Sequence, residues 1–416
     1  MQKVNPFLEK TSSIEKSYES LKKIPQKPYD AKKTSPFTKV RVILMNGTEF
    51  EANWFSHQFS RHCTDNNLRR EIAMIRRREQ QQQKKIASLK PIGESVLQHT
   101  IAYEQLAVEL TAILAQRVKD KNVKNALNFA LLEDFDHIFR YANLLEMDEK
   151  IKAEDLLGYY TEVMPARPTI SEHRHPKDSI NHYIQSSDAD LFTKLAVHII
   201  TAAEQQTMNF YMNLANFYPN EIGRNLYSEI AMIEEQHVSE YGSLLDTTTS
   251  WLECLVMHEY TECYLYYSVY MDESHEQIKK LWLANYKEEC AHLQKAIKLL
   301  EKYEKKSVED LFPTGAEFPE LLKFGSNKEY VRKVLKETGN YTKYEEDYER
   351  VDKLSEKAPF FSYNDIVTTP LANVPSHIVI QKHIDDLGED YRYEEKPNPI
   401  TSLRDRKTDN VEYGRK

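Results

Sequence analysis

At three places along this chain a glutamate stands 30 residues before a carboxylate that itself stands three residues ahead of a histidine. Glu104 precedes Asp134 and His137, Glu204 precedes Glu234 and His237, and Glu259 precedes Glu289 and His292. Carboxylate oxygens and imidazole nitrogens are donors that hold first-row transition metals. Positions i and i+3 share a helix face, so each carboxylate–histidine pair can reach one region of space. A lone match of this kind means little, because a chain with 65 acidic residues and 14 histidines produces some by chance. The repetition carries the weight, and it extends further. Leu144-Leu145-Glu146, Leu244-Leu245-Asp246 and Leu299-Leu300-Glu301 follow the three histidines at one common offset.

An interval of 30 is what two antiparallel helices joined by a short turn produce when residues on the two arms lie level. The midpoints Lys119, Pro219 and Ser274 fall in KDKN, YPNE and DESH, the polar, helix-breaking spots of their segments. About 13 helical residues on each side span roughly 20 Å. Each repeat is therefore expected to be a helical hairpin, with a carboxylate on one arm level with the carboxylate–histidine pair on the other. In a single hairpin such groups would form salt bridges that fix helix register. Two hairpins bring four carboxylates and two imidazoles together with no lysine or arginine at matching positions, and burying them requires cations.

This pattern resembles the ferritin-like di-iron carboxylate superfamily, most nearly its rubrerythrin-like branch. There a four-helix bundle supplies Glu from each of two helices and Glu-x-x-His from each of the other two. The matching positions are Glu104, Asp134, His137, Glu204, Glu234 and His237, and the resemblance covers roughly residues 94 to 302. Asp134 is one methylene shorter than the family's Glu, and Glu133 beside it is an alternative donor. The resemblance implies two iron ions, or iron with manganese, reacting with dioxygen or peroxide and with an unidentified reductant or substrate. Peroxidase, oxygenase and ferroxidase chemistry all fall within it, and no catalytic side chain beyond the ligands is assigned. The rival reading is a non-catalytic, metal-stabilised or structural bundle that acts as an interaction module.

Three hairpins compete for a site that needs two. About 40 residues connect the first to the second, enough to run the length of a bundle as in ferritin-like topology. Only Thr247 to Trp251 separate the second from the third. Tyr141 and Tyr241 follow their histidines by four residues where the third repeat has Ala296, and Gln105 and Gln205 match against Tyr260. The primary site is therefore expected from the first two hairpins. Glu259, Glu289 and His292 are assigned a role supporting it, with an added ligand or a separate ion as the alternatives. Glu172, His173 and His175 lie in the Pro-flanked stretch VMPARPTISEHRHPKDS. They read as an ordered loop, or else as a further ligand cluster or lid. Tyr141 and Tyr241 read as packing residues, with an electron relay or a hydrogen bond to a bound oxygen species as the alternatives, and Cys290 reads as packing, with ligation or titration as the alternative.

Around this core the fold class is expected to be mainly α: a ferritin-like helical bundle of three helical hairpins with a small N-terminal β-hairpin and extended termini. Ten glycines against 26 tyrosines favour long helices. Residues 1–35 read as a flexible tail. Residues 36–90 read as a β-hairpin, from Asn46-Gly47 between the runs KVRVILM and TEFEANW, followed by a basic helix whose charges face solvent or acidic neighbours. Residues 91–302 form the bundle, with its crossover at about 150–190, and 303–416 form a C-terminal extension with a helix near 327–338. No apolar run approaches the roughly 20 residues that span a bilayer, and no secretory signal is seen. The four cysteines include no Cys-x-x-Cys, which excludes a rubredoxin-type iron site and fits the cytoplasm. A net charge of −9 argues against nucleic acid as a partner. An oligomer is left open.

Overall fold

The computed structural model describes residues 4–391. The last part of the C-terminal extension, including RKTDNVEYGRK, lies outside the described residues. The described chain is mainly helical, with one two-stranded antiparallel sheet. Its eight longest helices form four hairpins: α1 (Pro36–His62) with α2 (Asn66–Ala87), α3 (Val96–Arg117) with α4 (Lys121–Glu149), α5 (Leu191–Phe217) with α6 (Glu221–Ser243), and α7 (Trp251–Asp272) with α8 (Glu276–Glu304). Each of the four turns has three residues, and the last of the three caps the second helix. Asp65 accepts from the Asn67 and Leu68 amides, Asp120 from Val123, Asn220 from Gly223 and His275 from Ile278. Such caps satisfy amides that the first helical turn leaves without partners.

The chain divides into two compact units. Among the described residues, unit 1 comprises 4–93, 184–203 and 246–324, and unit 2 comprises 94–183, 204–245 and 325–391. Unit 1 is built on the first and fourth hairpins. Its core holds Val40, Leu44, Ile72, Ile75, Leu255, Tyr264, Trp282 and Leu293. Arg41 of α1 reaches Asp272 and Glu273 at the α7–α8 turn, at 2.7 and 3.0 Å. Unit 2 is built on the second hairpin, the part of α5 from Glu204 onward and α6, around Leu106, Leu110, Leu131, Phe135, Ile138, Leu226 and Ile230, while the start of α5 belongs to unit 1. It also carries α9 (Lys328–Thr338), the antiparallel pair β1 (Tyr341–Tyr344) and β2 (Asp347–Arg350), α10 (Pro359–Val367) and α11 (Pro375–Leu387).

Three expectations are corrected here. The segment expected to be a β-hairpin is helix α1. Ser35 caps it, Pro36 opens it, and Val40, Ile43 and Leu44 are buried along it. Asn46-Gly47 sits inside that helix, where the Asn46 side chain accepts a bond from Gln83 of α2 at 2.9 Å. Tertiary burial outweighs a local turn signal of modest strength. The single sheet lies instead at residues 341–350.

As a consequence, residues 91–302 do not close one three-hairpin bundle, because residues 36–90 supply a fourth hairpin that pairs with the last. Residues 4–35 are not a free tail either. The Phe7 ring packs 5.5 Å from Phe312 and 6.2 Å from Tyr260, and Lys85 pairs with Glu19 at 2.6 Å. Two of the basic-helix charges thus meet acidic neighbours, since Arg78 also pairs with Glu288 at 2.5 Å. No helix among the described residues is long and apolar enough to cross a membrane.

Candidate metal centre

In unit 2 the four hairpin arms each present donors at one level. Helix α3 gives Glu104, α4 gives Asp134 and His137, α5 gives Glu204, and α6 gives Glu234 and His237. Ligand atoms of Glu104, Asp134, His137 and Glu234 lie within 4.8 Å of one another, and so do those of Asp134, Glu204, Glu234 and His237. The two groups share Asp134 and Glu234. All six expected residues are brought together, and all six are buried.

Much of the donor capacity has no partner. Glu104 Oε2, both oxygens of Asp134, His137 Nε2, both oxygens of Glu204, Glu234 Oε2 and His237 Nδ1 are buried without a hydrogen bond. No lysine or arginine among the described residues forms an ion pair with any of these four carboxylates. The remaining atoms are fixed. His137 Nδ1 shares a hydrogen bond with Glu234 Oε1 at 3.0 Å, and Tyr211 donates to Glu104 Oε1 at 2.5 Å.

Burial, followed by the charge of neighbouring carboxylates, pushes Glu104 and Asp134 well above the usual carboxylate range and Glu234 to about 8. Burial also holds His137 well below its ordinary value, with the His237 charge as the second cause. His237 goes the other way. Burial opposes its charged form, but Asp134, the bond to Glu133 and the nearby Glu204 and Glu234 raise it. Four acidic groups crowded in a low-dielectric interior, with His237 alone to set against them, are what a cation would relieve.

Glu133, the alternative to Asp134, has a different position. Arg174 donates to both its oxygens at 2.8 Å, and it accepts from His237 Nε2 at 2.7 Å. Burial works to raise its pKa, but Arg174, His237 and Arg167 outweigh that and hold it at about 2. Glu133 therefore orients His237, turning Nδ1 towards Asp134 and Glu234, each at 3.4 Å. Asp134, with neither oxygen bonded, belongs to both candidate donor groups.

The crossover is an ordered loop, buried from about 163 to 174. Arg140 pairs with Glu172 at 2.8 Å and His173 with Glu229 at 3.0 Å, while His175 caps the Lys177 amide at 3.3 Å. Those three residues join neither donor group. Arg174, between His173 and His175, is the residue of this loop that reaches Glu133, and no motif in the sequence marks it. Tyr141 packs 5.2 Å from Tyr211 and 4.9 Å from Tyr227, and the Tyr241 ring lies 6.4 Å from His237.

Glu259, Glu289 and His292 do not support this cluster. They lie in unit 1, where Glu259 and His292 group with Glu79, and Glu259 and Glu289 group with Glu262. The pairing of the fourth hairpin with the first explains the difference. Cys290 is a free thiol 3.9 Å from Cys263, and neither belongs to a donor group. Comparison with family models, with characterised proteins and with solved structures finds no match in any of the three.

Proposed function

We propose that unit 2 binds two transition-metal ions, iron or iron with manganese, and acts as a ferritin-like di-metal redox protein toward dioxygen or peroxide. The observation that carries this reading is the convergence of eight unpartnered donor atoms from six buried residues, in two groups that share Asp134 and Glu234. Glu104 and His137 would serve one ion, Glu204 and His237 the other, and Asp134 and Glu234 both. Such a pair supplies reversible electron transfer and open coordination positions for an oxidant when bound.

The protein's own side chains prepare the site. Arg174 fixes Glu133, and Glu133 fixes the His237 ring, the carboxylate–histidine device that orients ligands in metal proteins. The Tyr211 hydroxyl holds its proton against Glu104, so one O–H is directed at a donor carboxylate. The hydroxyls of Tyr141 and Tyr241 are buried without partners near the same cluster.

The test is anaerobic loading with ferrous iron followed by exposure to air, with metal content and the near-ultraviolet spectrum recorded. Glu234→Ala should lose about two metal equivalents and the oxidised-iron absorption. Full metal content and an unchanged spectrum in that variant would refute the assignment. Tight binding of zinc alone, with no spectral change in air, would favour a metal-stabilised structural bundle.

A further inference from the structure

Unit 1 contains its own set of buried donors, and its chemistry differs from that of unit 2. Glu49 on α1 precedes Glu79 on α2 by the interval that separates Glu259 on α7 from Glu289 on α8. The first hairpin is therefore a fourth copy of the repeat. Three residues after Glu79, where the other copies have histidine, stands Gln82. Three residues after Glu259, where the other copies have Ala52, Ala107 and Thr207, stands Glu262. Relative to unit 2 this set has exchanged one imidazole for an amide and gained one carboxylate.

The geometry brings these groups together. Ligand atoms of Glu79, Glu259 and His292 lie within 4.8 Å of one another, as do those of Glu259, Glu262 and Glu289. Some of the set is internally satisfied. Tyr266 donates to Glu49, Gln82 donates through Nε2 to Glu289, and His292 Nδ1 bonds Glu289 Oε2 at 2.9 Å. The rest is not. Glu49 Oε2, Glu79 Oε2, Gln82 Oε1, Glu259 Oε2 and His292 Nε2 have no hydrogen-bond partner. Glu262 is the decisive residue: it is 1% exposed, and neither of its oxygens has a partner.

Sharing of protons among the acids does not account for Glu262. A neutral carboxyl must still place its O–H on an acceptor, and Glu262 has none. Nor do nearby cations, since no lysine or arginine among the described residues forms an ion pair with any of the five carboxylates. Arg78 is turned to Glu288 and Lys85 to Glu19. A buried carboxylate without hydrogen bonds or counter-charge needs a cation supplied from outside. A pocket of about 360 Å³ lined by Lys16, Ser17, Lys287, Glu288 and Ala291 reaches His292.

We propose that unit 1 is a second, oxygen-rich cation centre formed by Glu49, Glu79, Glu259, Glu262, Glu289 and His292, and that it takes manganese(II). Carboxylate and amide oxygens suit hard divalent ions, and one imidazole favours manganese over magnesium or calcium within that group. Gln82 contributes to this preference by presenting an oxygen where unit 2 presents a nitrogen.

The experiment uses full-length protein stripped with chelator and titrated with manganese(II), reading the free ion by its magnetic-resonance signal and the bound ion by equilibrium dialysis. Glu262→Gln, nearly isosteric and uncharged, should weaken one class of manganese sites at least about tenfold, while iron loading that depends on Glu234 persists. The double variant Asp134→Asn, Glu234→Gln should keep the Glu262-dependent manganese binding. Manganese isotherms identical in wild type and Glu262→Gln would overturn the proposal, as would loss of all manganese binding in the double variant. If Glu262→Gln does not fold, Gln82→His decides. Restoring the imidazole should shift the centre's preference from manganese towards iron, and an unchanged preference would refute the oxygen-rich assignment. A double variant that binds iron as wild type does would instead sink the reading of unit 2 and leave this test intact.

Discussion

Glu133 and Asp134 are adjacent on α4, yet one faces Arg174 and the other faces only donors. Their substitutions should separate cleanly. Asp134→Asn is expected to abolish metal binding in unit 2. Glu133→Gln should weaken it by about 10- to 100-fold, as loss of a ligand-orienting partner does. It should also destabilise the fold by about 3 kcal/mol, because a buried Arg174 loses its bidentate partner. Metal analysis and urea unfolding of the two variants check both statements. A second residue-scale prediction concerns His198 in unit 1, whose ring lies 5.4 Å from His258. Burial, followed by the Lys194 charge, lowers its pKa from 6.5 to about 4. Between those values the unfolded chain binds a proton that the folded chain does not. The stabilisation is therefore complete above pH 6.5 and is lost as pH falls towards 4, by about 3 kcal/mol. His198→Phe should flatten the fall in unfolding midpoint across that window, and an equal fall in both proteins would contradict the assignment.

The elements were legible where local pattern and tertiary role agree. The 30-residue interval locates α3 to α8 and their turns because equal arms and polar midpoints are both visible in the letters. The same interval joins Glu49 to Glu79 across Thr64, followed by the capping Asp65. It was obscured by two local features: Asn46-Gly47, which signals a turn, and Gln82, which removes the histidine. The convergence of six residues in unit 2 was legible as a set. Glu133's role was not, because its counter-ion Arg174 lies 41 residues away in a loop with no periodicity. Glu262 was missed because it adds to the repeat instead of repeating it. The turns also make a prediction. A Cβ on Gly223 would stand 2.1 Å from Tyr218 Cε1, and the Tyr218 hydroxyl is held by Asp148 at 2.6 Å. Gly223→Ala should therefore cost about 1–3 kcal/mol, read as a lower urea midpoint. No change in that midpoint would mean that the Tyr218 ring yields freely.

For the whole molecule, a cation that binds only the folded state stabilises it by mass action. Free metal at about 100 times its dissociation constant contributes about 2.7 kcal/mol, which for a unit of this size raises the melting temperature by roughly 5–10 °C. Chelator should reverse that rise. Glu234→Ala should remove the part belonging to unit 2, observed by calorimetry with and without iron. A chelator-insensitive melting profile in protein loaded with iron would contradict a metal-dependent unit 2.

The nested order of the hairpins bears on how the chain leaves the ribosome. The first hairpin emerges at residue 87, but its partner begins only at Trp251. At about 5–20 residues per second the wait is roughly 8–30 s. During it the inner face of α1 and α2 has no hairpin to cover it. Glu49 and Glu79 interrupt the apolar residues of that face with charge, so the acids that would later hold a cation also act as gatekeepers against premature aggregation. By residue 237 every donor of unit 2 has been synthesised, whereas the set in unit 1 is incomplete until His292. Newly made chains should thus acquire their two kinds of ion in sequence, the inner pair of hairpins first.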